Sequence, residues 1–214
     1  LALTSRVGVD VSGYSIGNVH FGAKIEGDFY AGLSNSSNAN ATTYFPGNSK
    51  ISGTAQARLR QAYATVTWKD LPLGKDDKAS VGLKIGQAWH PMAADHPHLF
   101  SLEVGAPFGP FSRTPLVQMD ANLGSNWIVS AAAIWQMQYQ STGPVGASAL
   151  YMKYGKTPEM YAAVGYKANN FLLRAGVDVL SIKPRVLGQY NGKTVKVSDR
   201  KTSVLGYVYT QYSH

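Results

Sequence analysis

The sequence predicts an all-β fold, an antiparallel up-and-down transmembrane β-barrel with apolar side chains outside and polar ones around a solvated interior. Three observations predict it. Residues 114–123, TPLVQMDANL, set Val117, Met119 and Ala121 on one face and Gln118, Asp120 and Asn122 on the other, and a strand with one apolar and one wet face needs two environments. The same alternation recurs along most of the chain, with almost nothing that reads as an amphipathic helix. The connections between these strands also alternate between long and short, which in a meander gathers the long loops at one end and the tight turns at the other, as in extracellular loops and periplasmic turns.

The strands follow in order. Residues 6–13 set Val7, Val9 and Val11 against Arg6, Gly8, Asp10 and Ser12, and residues 21–31 set Ile25 and Phe29 against Lys24, Glu26 and Asp28. Charges of both signs on one strand face are costly in a dry core and tolerated beside water. Residues 57–69 return to strand with neither face pure: Leu59, Gln61 and Tyr63 share one, and Arg58 and Arg60 share the other with Ala62, Ala64, Val66 and Trp68. Residues 80–87 set Val81, Leu83 and Ile85 against Lys84. Residues 127–137 carry Trp127 and Trp135 at the ends of an apolar stripe, about 26 Å apart at roughly 3.3 Å per residue, near the height of a barrel's apolar band. Residues 158–166 and 170–181 form a hairpin whose second strand places Arg174 and Asp178 on its wet face, and 202–212 is an aromatic strand. A short strand is expected at 149–154 and another at 99–104. The long connections are 32–56, 88–113, 138–156 and 182–201.

Composition narrows the function. The chain has 214 residues, 22 of them Gly and 13 Tyr, which suits twisted strands and tight turns. Cysteine is absent, which excludes disulfides, thiolate zinc sites and a cysteine nucleophile. The net charge of +8 comes from basic residues scattered singly, so nucleic acid is not an expected partner. No run approaches the length of an apolar spanning helix, whereas the alternating segments of a membrane barrel remain compatible with this hydropathy. Nine strands are counted, and bacterial single-chain barrels have an even number with no open edge. Residues 1–214 are therefore expected to be part of a single outer-membrane barrel domain, incomplete as it stands, unless a tenth strand is hidden or partner chains supply the rest.

The charged residues have a role in that reading. Arg58, Arg60, Lys84, Arg113 and Arg174, set against Asp10, Glu26, Asp28, Asp120 and Asp178, would impose a transverse field on a solvated interior, or would hold its wall by ordinary salt bridges. Lys24, Glu26, Asp28, Arg58, Arg60, Lys84, Arg113, Gln118, Asp120, Arg174 and Asp178 are accordingly the expected pore-lining or constriction residues. His90, His96 and His98 with Asp95 have the side chains for zinc or nickel, but Pro91 and Pro97 interrupt them and no regular element fixes them. They read as a polar loop, and neither a metal nor another cofactor is assigned. Glu26 and Asp28 share a face as paired catalytic carboxylates can, yet Lys24 lies beside them. Ser112 and Ser130 have no evident triad, and no nucleophile elbow, P-loop or dinucleotide fingerprint occurs. The chain is not expected to be an enzyme.

Three segments carry a resemblance. RLRQAYATVTW in 58–68, VGLKIGQAWHP in 81–91 and SRTPLVQMDAN in 112–122 resemble the outer-membrane porins related to DcaP, over roughly residues 6–181. The resemblance implies a trimer of larger barrels in the outer membrane of a Gram-negative bacterium, surrounded by lipid and passing small hydrophilic solutes. It makes Arg58, Arg60 and Arg113 lumen or constriction residues favouring anions, and makes Gln87, Trp89 and Pro91 the start of an inward loop. The chain has about half the length such a barrel needs. The expected function is thus passive diffusion of small, anionic solutes. The alternatives are a structural barrel subunit of a larger envelope complex, a barrel hydrolase of the outer membrane, and a soluble sandwich.

Overall fold

The structure, a computed structural model, describes residues 5–31, 56–95, 112–137, 142–143, 146–148 and 150–212. The main elements are β1 (Arg6–Ile16), β2 (Val19–Ala31), β3 (Gln56–Leu73), β4 (Asp77–Trp89), a 3-10 turn (Pro91–Asp95), β5 (Arg113–Leu123) and β6 (Trp127–Ile134). Two short strands, β7 (Thr142–Gly143) and β8 (Gly146–Ala147), precede α1 (Leu150–Gly155). Then come β9 (Glu159–Ala168), β10 (Phe171–Ile182), the small hairpin β11 (Leu187–Tyr190) and β12 (Lys193–Lys196), and β13 (Lys201–Tyr212). Nine strands form one sheet in the order β1-β2-β3-β4-β5-β6-β9-β10-β13, every neighbour antiparallel.

The sheet is open, and this corrects the transmembrane barrel. Among the described residues β1 pairs only with β2, and β13 only with β10. Each edge leaves a row of backbone donors and acceptors that a bilayer cannot satisfy. With the closed wall go the porin resemblance, the diffusion function, the partnership with lipid in a trimer and the outer-membrane localisation. The structural-barrel and barrel-hydrolase alternatives require the same wall and fall with it. No helix among the described residues is long and apolar enough to cross a membrane.

The two faces of the sheet differ in the reverse of the usual sense. Val9, Ile25, Ile85, Val117, Val164 and Val177 are all exposed on one side. Asp28, Arg60, Gln118, Glu159, Arg174 and Asp178 are buried on the other. A small core lies on that polar side, built from Ala88, Met92, Leu116, Ala132, Ile134, Tyr161 and Ala163, with Tyr63, Leu205 and Tyr207 packed against it. Residues from β3 to β13 meet there, so the sheet curls around this face and shields its charges.

A bulge explains the mixed strand. Glu26 pairs with Gln61 but Gly27 with Leu59, leaving Arg60 as the extra residue, and one extra residue reverses the alternation. Before it Arg58 points to the polar side and Leu59 outward. After it Gln61, Tyr63 and Thr65 take the polar side and Ala62, Ala64 and Val66 the apolar one. Gln87 donates to the carbonyls of Leu59 and Arg60, at 3.1 and 3.2 Å, where the bulge separates β3 from β4.

Two local expectations are also corrected. Residues 149–154 were expected to be strand, but the Ser148 hydroxyl accepts the Leu150 N–H at 3.1 Å and starts α1. Lys156, at φ 57°, ends it, donating its N–H to the Met152 carbonyl. The connection 182–201 contains the hairpin β11–β12, whose Asn191-Gly192 turn takes φ 48° and 72°, the two positive values a type I′ turn requires. The expected strand at 99–104, the connection 32–55 and the histidines at 96 and 98 lie outside the described residues.

Candidate metal centre

The polar face divides its charged residues into three groups. In the first, Asp28 receives both Arg58 Nε and Nη2, at 2.9 and 2.6 Å, while Arg60 donates Nη1 to Asp28 at 2.8 Å and Nε to Glu26 at 2.7 Å. The bulge is what brings Arg60 to this side. Lys24 lies 3.9 Å from Glu26 and 3.8 Å from Asp10. Burial works against the Glu26 charge, but Arg60, Arg6 and Lys24 outweigh it and hold the carboxyl below its ordinary range. Arg113 lies over the Trp89 ring, 4.7 Å from its centre. Its burial, with Arg60 and Arg58 nearby, lowers its pKa to about 10, and it stays charged at neutral pH.

The second group is a relay across the middle strands. Arg174 donates to the Ser130 hydroxyl at 2.6 Å, Ser130 donates to Asp120 at 2.7 Å, and Gln118 donates to the other Asp120 oxygen at 2.7 Å. Lys84 closes it, 3.5 Å from Gln118. Both groups are internally neutralised in large part, as a shielded polar face requires.

Asp178 stands apart from both and belongs to a third group that the sequence left unassembled. It faces His90 and Glu159, and one ligand atom from each lies within 4.8 Å of the others. His90 Nε2 is 3.4 Å from Glu159 Oε1 and 3.3 Å from Asp178 Oδ2. Each residue is set by a separate device. His90 extends β4 by one rung, its N–H donating to the Ser112 carbonyl at 2.9 Å, and its own carbonyl accepts Ala93 N–H to begin the 3-10 turn. Glu159 opens β9 on the buried side of a strict buried–exposed alternation, and Asp178 pairs with Tyr161 across β9 and β10. In the sheet β10 is four strands from β4, roughly 19 Å at ~4.8 Å per strand. The curl of the sheet and the turn after β4 remove that separation.

The site is buried and under-satisfied. His90, Glu159 and Asp178 are 1%, 4% and 7% exposed. His90 Nε2, Glu159 Oε2 and Asp178 Oδ1 have no hydrogen-bond partner, and such groups normally have one. Tyr161 meets the His90 ring edge-on at 5.5 Å and shares a 2.6 Å hydrogen bond with Tyr207. Burial disfavours a charged His90, yet the facing carboxylates outweigh it and raise its pKa to about 9. Burial, helped by Asp178, raises Glu159. Positive charge is thus favoured between the carboxylates, but the imidazolium is a poor source of it. His90 Nδ1 accepts the Met92 N–H at 3.2 Å, and an imidazolium would need a proton on that same nitrogen. With its lone pair on Nδ1, the neutral ring carries its proton on Nε2, the nitrogen that faces the two carboxylates.

Of the residues expected to line a pore, only Asp178 reaches this site. Glu159 was missed, and a lone acid at a strand start gives little signal. His90 was weighed with His96, His98 and Asp95, its neighbours in sequence, whereas its partners here come from β9 and β10. No family model, curated protein or solved structure matches this chain, and the likeness to DcaP-related porins, which implied a closed barrel, does not survive the open sheet.

Proposed function

We propose that this chain is a metal-binding β-sheet protein that holds one divalent transition-metal ion between His90, Glu159 and Asp178. The observation that carries the reading is three buried ligand groups turned toward one another within 4.8 Å, each with an unsatisfied atom; an ion at His90 Nε2 would move that nitrogen's proton to Nδ1, in place of the hydrogen bond from Met92 N–H. The spacing supports it. Two bonds of about 2.1 Å at a tetrahedral angle place their donors about 3.4 Å apart, close to the 3.3 and 3.4 Å from His90 Nε2 to the two carboxylates. One imidazole with two carboxylates favours zinc or another first-row ion over magnesium or calcium, which take oxygen donors. A dipositive ion would balance the charge of two carboxylates at a buried site. The reading is binding without turnover, since nearly complete burial leaves little room for a substrate beside the ion.

Isothermal titration with zinc chloride tests it. One zinc per chain is expected, with little heat from magnesium. His90→Ala and Asp178→Asn should each weaken zinc binding by about 100-fold or more, since even an outer-shell change costs 10–100-fold. Asp178→Asn preserves the side-chain volume, so it answers the question if His90→Ala fails to fold. Equal zinc affinity in the wild type and a folded variant overturns the assignment.

A further inference from the structure

The outer edge of β1 is self-complementary in charge. Its wet face carries Arg6, Gly8, Asp10 and Ser12 and its other face Val7, Val9 and Val11, and the whole strand is exposed. Arg6 and Asp10 stand equally far on either side of Gly8. We propose that a second copy of this chain adds its own β1 antiparallel to this edge about a two-fold axis at Gly8, so that Arg6 of each copy faces Asp10 of the other.

The register follows from elimination. In a symmetric antiparallel pair, directly opposed residues share a face. A one-residue slip would place valines among the charges. Of the registers that keep the faces together, one centred on Arg6 opposes two arginines and one centred on Asp10 opposes two aspartates, both unfavourable. Centring on Val7 or Val9 leaves both charges without an opposite partner. Only the axis at Gly8 makes two Arg6–Asp10 pairs, and it also sets Val7 against Val9 twice. Asp10 is available for this, since its Lys24 contact is long at 3.8 Å and its side chain is 67% exposed. The opposite edge has no such pattern, because Lys201 is the one charged residue in β13. The joined edges would satisfy the backbone groups that β1 leaves open.

Analytical ultracentrifugation of the wild type, Arg6→Asp, Asp10→Arg and an equimolar mixture of the two variants tests the proposal. The wild type should be a dimer, and each variant alone should dimerise about tenfold more weakly or worse, because both of its cross-pairs become like-charged. The mixture should regain the dimer, since each copy then meets the opposite charge. Each variant is checked for the native circular dichroism spectrum, and a second measurement bypasses any folding loss. The chain has no cysteine, so Val7→Cys mixed with Val9→Cys should give a disulfide-linked dimer under mild oxidation, faster than either variant alone. A monomeric wild type overturns the proposal. So does association that the charge variants leave unchanged, which would assign it to β13 or to the apolar face, and so does a cysteine mixture no faster than its components.

Discussion

At the scale of single residues, the consequential group is Arg60. As the extra residue of the bulge it turns to the polar side and bonds two carboxylates at once. With its side chain 8% exposed and that of Asp28 3% exposed, its loss strands buried charge, although Arg58 still holds Asp28. Arg60→Ala should therefore destabilise the chain by about 3 kcal/mol, the low end of the range for breaking a buried pair, as read from urea unfolding at pH 7. The sign of the pH dependence follows from Glu26, whose folded pKa is lowered. Its contribution is fully present above the unfolded value near 4.5 and is lost as pH falls from there through the lower folded value. Wild-type stability should thus drop as the pH falls below about 4.5, and Arg60→Ala should flatten that part of the profile. An unchanged profile in the variant would remove Arg60 as the cause.

At the scale of elements, the His90–Glu159–Asp178 cluster depends on how closely strands approach. Gly176 pairs with Tyr207 across β10 and β13, and a Cβ on Gly176 would collide with the Tyr207 ring, standing 2.8 Å from its Cζ. The missing side chain lets Tyr207 lie across β10 and bond Tyr161, which abuts His90. Gly176→Val should displace Tyr207 and weaken zinc binding about tenfold, an outer-shell effect, with the sheet retained by circular dichroism. Zinc affinity equal to wild type would show that the tyrosine pair does not orient the site. The reach of sequence reading is also clearest at this scale. Alternation located β5 and β10 because one face of each is continuously apolar. It misread β3, since a bulge inverts parity without marking the sequence, and it missed α1, whose six residues are too few to display a helical period.

At the scale of the whole molecule, the unusual property is the exposed apolar face. Val9, Ile85, Val117, Met119, Val164 and Val177 spread it across β1, β4, β5, β9 and β10, and a contiguous surface of this kind marks an interaction site. Edge pairing through β1 would leave it open. The folded wild type should therefore enhance the fluorescence of an anilinonaphthalene sulfonate dye in buffer, with the enhancement lost in urea. No enhancement before unfolding would mean that another surface covers the face.

The sequence by itself determined the strands and the separation of apolar from charged side chains, because both are written in a period of two that any strand must obey. Only the tertiary structure decided that the sheet stays open, that Arg60 bulges inward, and that His90, Glu159 and Asp178 meet. Those outcomes depend on curvature and on pairing between strands far apart in the chain. The pattern within a strand fixes which side a residue takes, but not which distant strand will face it.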